Sequence, residues 1–188
     1  MMRVLQAVLL MSGSVTAMAG APQIPTELTP PAGAKLVLKA HATGSQIYTC
    51  KTGTDGAFQW TLKGPDADLH DSKGAVIGHH FAGPTWKHKD GSEVTGKASA
   101  HVDSPSADSI PWLLLTATGH TGEGKFAKVT AIQRINTKGG KPSAASTCDA
   151  SKDGTETKSA YSADYYFYGE KRRSARARMC AAAWPRRT

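Results

Sequence analysis

The 188-residue sequence predicts an all-β fold, an antiparallel β-sandwich or barrel of about eight or nine strands. Three observations predict it. Apolar and polar residues alternate with period two from Lys35 onward, Gly-containing turn steps punctuate the alternating runs, and helical spacing of apolar residues is scarcely found anywhere.

The alternation is cleanest in Ala57 to Lys63, where Phe58, Trp60 and Leu62 share one face and Gln59, Thr61 and Lys63 the other. That is the pattern of a half-buried strand. Leu36, Leu38, Ala40 and Ala42 stand in the same relation to Lys35, Val37, Lys39 and His41. Further along, Val94, Ala98, Ala100 and Val102 alternate with Glu93, Thr95, Lys97 and His101. Turn signals fall at Asp55-Gly56, Lys73-Gly74, Asp90-Gly91, Gly122-Glu123-Gly124, Gly139-Gly140 and Asp153-Gly154, where Gly supplies the positive φ of tight hairpins. Strands are therefore expected near residues 35–42, 46–51, 57–63, 76–81, 85–89, 93–102, 110–118, 126–137 and 161–168. Phe126 to Thr137 mixes its faces and reads as a strand buried on both sides or as a short helix. In the last run Tyr161, Ala163, Tyr165 and Phe167 share a core face, and Tyr166 and Tyr168 point the other way.

The ends read differently from the body. Arg3, the apolar run Val4 to Met11 and the small-x-small step Ala17-Met18-Ala19 form a signal peptide over 1–19, which predicts an exported protein. Residues 20–34 are a Pro-rich lead-in without evident structure, 35–168 the β domain, and 169–188 a basic tail expected to be disordered. Of the net charge of +8, the tail supplies +6, seven Lys and Arg against Glu170 alone. The body is thus close to neutral, and no nucleic-acid partner is expected. No later segment is long and apolar enough for a transmembrane helix. In an oxidising compartment two of the three cysteines are expected to pair. Cys50 with Cys148 is the expected disulfide, leaving Cys180 in the tail.

Five local strings, in register over some 140 residues, go further: Gln46-Ile47-Tyr48-Thr49-Cys50; Gly83-Pro84-Thr85-Trp86 followed by Asp90-Gly91-Ser92; Ile110-Pro111-Trp112-Leu113-Leu114; Gln133-Arg134 leading to Thr137 and Gly139-Gly140; and Tyr165-Tyr166-Phe167-Tyr168. Together they resemble the bacterial and fungal exported family catalogued as domain of unknown function 3455, from about residue 28 to 168. The resemblance implies an exported domain ending near Tyr168 and brings no activity or catalytic residues with it.

Two nucleotide-like motifs fail on inspection. Gly119 to Lys125 fits the G-x-x-x-x-G-K of a phosphate loop, but Phe126 stands where a Ser or Thr must hold magnesium. Gly122-x-Gly124 with Ala127 mimics a dinucleotide fingerprint, but the first acid downstream is Asp149, in a loop. Both read as a glycine-rich hairpin.

Candidate site residues come from the histidines and aromatics. His70, His79, His80 and His88 lie among Asp66, Asp68, Asp71 and Asp90, a donor set suited to zinc or copper. Adjacent residues on a strand face opposite ways, so a metal set takes one of His79 and His80, and the choice is His80, His88 and Asp90. Trp86 and Trp112 follow prolines at strand starts, where rings are presented for ligand stacking or used for packing. The expected ligand contacts are Trp86, His80 and Tyr166. No G-x-S-x-G, H-E-x-x-H or spare cysteine suggests a nucleophile, so no catalytic residue or resident cofactor is expected. The leading expectation is a non-catalytic exported domain that binds a small ligand or a cell-surface component. The alternatives are a metal-dependent secreted enzyme using His80, His88 and Asp90, and an envelope protein that oligomerises through a strand edge.

Overall fold

The computed structural model describes residues 23–170. The leader expected at 1–19 and all but the first two residues of the basic tail, with Cys180, lie outside the described residues. Eight strands follow one another: β1 Lys35–Thr52, β2 Phe58–His70, β3 Val76–Phe81, β4 Thr85–His88, β5 Glu93–Val102, β6 Trp112–Thr121, β7 Val129–Gly139 and β8 Glu156–Gly169. Each pairs antiparallel with its neighbours in sequence, and β8 returns to β1, so that the expectation of a sandwich or barrel resolves to a closed up-and-down barrel. Closure leaves no free lateral edge to the sheet as a whole.

The expected strands at 35–42 and 46–51 are one strand. Thr43-Gly44-Ser45 looked like a break, but Gly44 sits opposite Ala67 on β2 and Tyr161 on β8. A Cβ there would collide with the Asp66 carbonyl and Ala67, so the glycine permits close approach rather than a turn. The last strand begins at Glu156, not near 161, because its polar first residues complete the ladder with Thr49 to Ser45. The Phe126 to Thr137 segment is a strand from Val129. Its outer face is buried as well, because the lead-in folds over it: Leu28, in a short 3-10 turn at Thr26–Leu28, is wholly buried with Trp112 and Ile135, and its carbonyl accepts from Gln133 Nε2 at 2.7 Å. The Pro-rich lead-in is thus structured from Gln23 on, as a patch over an apolar outer face.

Inside the barrel, β1 and β8 supply alternating small and large side chains: Ala40 faces Tyr165, Ala42 faces Ala163 and Gly44 faces Tyr161. At one end, where the β2–β3, β4–β5 and β6–β7 turns gather, the interior is solid. Phe126 comes from the β6–β7 loop and meets Phe167 at 4.5 Å and His88 at 5.7 Å between ring centroids. Asp90 clasps that loop: its carboxylate accepts from Ser92 N at 2.9 Å, Ser92 Oγ at 2.6 Å and Lys125 N at 2.9 Å, and Ser92 Oγ in turn accepts from Phe126 N at 3.1 Å. The Gly119 to Lys125 motif therefore closes a barrel end and holds no phosphate loop geometry.

At the opposite end the Cys50–Cys148 disulfide is present and ties the β7–β8 loop to the end of β1. Trp60 reinforces it, its indole N–H donating to Thr147 Oγ1 at 3.0 Å.

Candidate functional site

The open end owes its shape to unequal strand lengths. β2 pairs with β1 from Phe58 to His70 but with β3 only from Asp66, and β5 pairs with β6 from Glu93 to Val102 but with β4 only up to Thr95. The β3–β4 hairpin turns early, at Ala82 to Pro84, and leaves a notch in the wall between the upper parts of β2 and β5. Gly83 holds the turn with φ 112°, a value that favours glycine. Through this notch a cavity of about 600 Å³ enters the barrel.

All eight strands contribute to its lining. His80 on β3 and Trp86 on β4 are cross-strand partners, and their rings lie parallel, 2° apart with centroids at 4.3 Å. Tyr165 of β8 meets both edge-on, at 5.2 Å and 5.6 Å. Gln46 of β1 and Arg134 of β7 bring polar groups, and Leu62, Pro65, Leu113 and Leu115 bring apolar ones. Lys63 and Lys97 stand at the rim, and no carboxylate lines the cavity.

Burial sets the charge state of the interior. His80 is 2 % exposed, and desolvation pulls its pKa down to about 3, with the Arg134 charge adding to the effect and the bond to Thr85 opposing it. It is neutral at ordinary pH. Its Nδ1 lies 2.8 Å from the Thr85 carbonyl, which only accepts, so the proton sits on Nδ1 and Nε2 is a bare acceptor. Burial also pushes the Tyr161 and Tyr165 hydroxyls up, so both remain protonated, the Arg134 charge acting against the shift. The two hydroxyls stand beside each other and near Arg134 without reaching hydrogen-bond geometry.

Four buried polar atoms here lack a partner: Gln46 Nε2, Trp86 Nε1, Tyr161 Oη and Tyr165 Oη. Arg134 is held by the Pro111 carbonyl, which accepts from Nε at 3.3 Å and Nη2 at 2.9 Å. None of the described carboxylates comes within ion-pair distance of Arg134. A buried donor without an acceptor costs about 1–3 kcal/mol, so these groups carry a desolvation cost that no protein partner offsets.

Of the residues expected to contact a ligand, His80 and Trp86 meet in this cavity. Tyr166 does not. It points outward from β8, with Lys39 Nζ 5.0 Å above its ring, and its neighbour Tyr165 takes the inward place. Trp112 does not converge with Trp86 either, for it packs with Leu28 and Ile135 on the outer face. The expected metal set is not assembled: among the described residues no three His, Cys, Asp or Glu side chains come together to hold an ion. His88 faces inward on β4 at the closed end, with Nδ1 3.0 Å from Asp90 Oδ2. The Asp90 amide donates to the same Nδ1, at 3.3 Å. Both Asp90 oxygens are committed to the loop clasp, while His80 is committed to Thr85 and Trp86. His79 faces outward, between Asp66 at 3.1 Å and Asp68 at 3.1 Å.

A family model described as a protein of unknown function (DUF3455) matches residues 31–169. The chain belongs to this family. Comparison with curated proteins and with solved structures gives no match. The DUF3455 match spans the whole barrel, including all eight strands and every cavity-lining residue named above. Gln46, Arg134 and Tyr165 also line the cavity, beyond the residues that the sequence singles out. Gln46 continues the inward face of Ala40 and Ala42, and a polar residue at an inward position is the signal that would have found it.

Proposed function

We propose that this DUF3455 protein is an exported, non-catalytic barrel that takes a small ligand into the cavity at its open end. The observation that carries the reading is the set of unpartnered buried polar atoms on Gln46, Trp86 and Tyr165, three residues that line a cavity of about 600 Å³. Cavities of this size, apolar with a few convergent polar groups, are the usual form of small-molecule sites, and eight-stranded barrels are able to hold one small ligand.

Export is supported by the leader-like start of the sequence and by the Cys50–Cys148 disulfide, a bond that persists in oxidising compartments. Among the described residues no helix is long and apolar enough to cross a membrane. The barrel wall also argues for an aqueous setting. Lys39, His41, Asp66, Asp68, His79 and Lys87 face outward, and the one apolar stretch of outer face described, at Trp112 and Ile135, is covered by Leu28, unlike the continuous apolar band of a lipid-facing barrel.

The test is native mass spectrometry of the full chain secreted from its expression host. The expected result is a bound small molecule that is absent from a variant with the cavity filled, Gly96→Leu. A protein that carries nothing, and whose unfolding midpoint moves with no member of a diverse small-molecule panel, would overturn the reading.

A second reading has its own observation. The upper parts of β2 and β5 are strands whose notch-facing edges are unpaired among the described residues, and such edges are able to accept a strand from another chain. An oligomer formed this way shows a mass in solution that rises with protein concentration.

A further inference from the structure

The charge of the cavity is one-sided, and several of its polar groups are donors. Trp86 Nε1 is a donor only, the free Gln46 atom is its amide nitrogen, and Arg134 is a permanent cation. The rim adds Lys63 and Lys97, and among the described residues Lys63 alone of the two has an ion-pair partner, Glu156 at 2.6 Å. The fixed side-chain acceptors at the wall are His80 Nε2 and Gln46 Oε1. The tyrosine hydroxyls serve either way.

Arg134 sharpens the point. A guanidinium has five N–H groups, and the Pro111 carbonyl takes one from Nε and one from Nη2. The remaining N–H groups lie on the two terminal nitrogens, the fork that receives a carboxylate with two parallel bonds. Its charge reaches the interior, since it acts on His80, Tyr48, Tyr161 and Tyr165 alike. A cation so placed, without a carboxylate of its own, is left to be neutralised from outside.

We infer that the ligand is a small organic carboxylate with a compact apolar body, its carboxylate received by Arg134 with Gln46 and Tyr165, its body filling the space between Leu62, Pro65 and Leu115. This rests on the ligand-binding reading above and adds the ligand's charge and orientation. A phosphate ester fits less well, because a doubly charged head needs more than one cation and Arg134 is the one guanidinium or ammonium group lining the cavity inside the rim.

The test uses the full chain and calorimetric titration with two probes of the same shape, 2-naphthoate and neutral 2-naphthamide. The expected result is binding of the acid about 30-fold tighter than the amide, the usual size of a hydrogen bond to a charged group. Arg134→Met removes the preference without weakening the amide. Should Arg134→Met fail to fold for want of its Pro111 tether, Gln46→Met replaces it and weakens the acid about fivefold. The preference also stays flat from pH 5.5 to 8, because the receiving cation is a guanidinium and not an imidazole. Equal binding of the two probes overturns the carboxylate inference and leaves a ligand cavity standing. A preference that survives Arg134→Met but disappears in Lys63→Met with Lys97→Met overturns it too, moving the anion to the rim. If neither probe binds but a neutral apolar molecule does, the inference alone falls. If no probe of either charge binds, both readings fall.

Discussion

The imidazole of His80 lies flat on the indole of Trp86, 4.3 Å between centroids and 2° from parallel, across the shortest pair of strands in the barrel. The ring is buried among aromatics, and the same burial that makes the cavity wall makes His80 hard to protonate. Its surroundings are Trp86 and Tyr165 as rings, Arg134 and His79 as charges or potential charges, and the Thr85 carbonyl as acceptor.

A pH dependence of stability follows. His80 titrates at about 6.5 unfolded and at about 3 folded, so between those values the unfolded chain binds a proton that the folded one refuses. Stability is therefore full above pH 6.5 and falls as pH drops through the window. From pH 7 to pH 5 the loss from this one group is about 2 kcal/mol. The carboxylates held low, Asp90 and Asp164 among them, lose stability only as pH falls below their unfolded value of 3.8, outside this interval. Urea midpoints at pH 7 and 5 are expected to differ less in His80→Phe, which keeps the stack on Trp86 and abolishes the titration; an unchanged difference would count against the neutral buried imidazole.

The disulfide offers a larger effect. Cys50 and Cys148 are 98 residues apart, and closing a loop of that length is worth about 5 kcal/mol in the chain-entropy model. The double variant Cys50→Ser, Cys148→Ser is expected to lose that much in urea unfolding. Trp60 fluorescence is expected to shift as well, because its N–H bond to Thr147 depends on the tethered loop.

How much of this was readable beforehand depends on the residue. The alternation of Phe58, Trp60 and Leu62, and the glycine turns, announced a β fold of the right strand number, because period two and positive φ are local properties. Inward placement of Tyr161, Tyr165 and Phe167 followed from parity alone. Tyr166 reads from sequence as a contact because an outward aromatic on a strand has no evident packing partner. The structure gives that ring to Lys39 and the edge of the Leu28 cluster. Arg134 was out of reach for another reason: a cation in a strand reads as solvated, and only the pairing of Leu113 with Arg134 across β6 and β7 brings it to the cavity. Cavities arise from pairings distant in sequence, and the early β3–β4 turn that opens this one means little until β2 and β5 are seen to rise past it.

The lead-in makes its own prediction. Leu28 is wholly buried between Trp112 and Ile135, yet it belongs to a Pro-rich segment that looked unstructured. Leu28→Ala is expected to cost about 3 kcal/mol, the usual range for a buried leucine, and to expose Trp112 to quenchers. A cost near zero would mean that the segment is not seated on the barrel in solution.

Gln46 separates stability from binding. Its amide nitrogen is buried without an acceptor, 2 % of the residue being exposed, so the ligand-free barrel carries the desolvation cost of that group. Met has nearly the same length and no polar hydrogen. Gln46→Met is therefore expected to stabilise the empty protein by about 1 kcal/mol in urea unfolding while weakening 2-naphthoate binding in calorimetry. A core residue kept only for packing would show the opposite signs or none, since replacing it would cost stability and leave binding alone. Opposed changes in the two measurements are what a group held unpartnered for a ligand produces, and parallel changes would place Gln46 among ordinary structural residues.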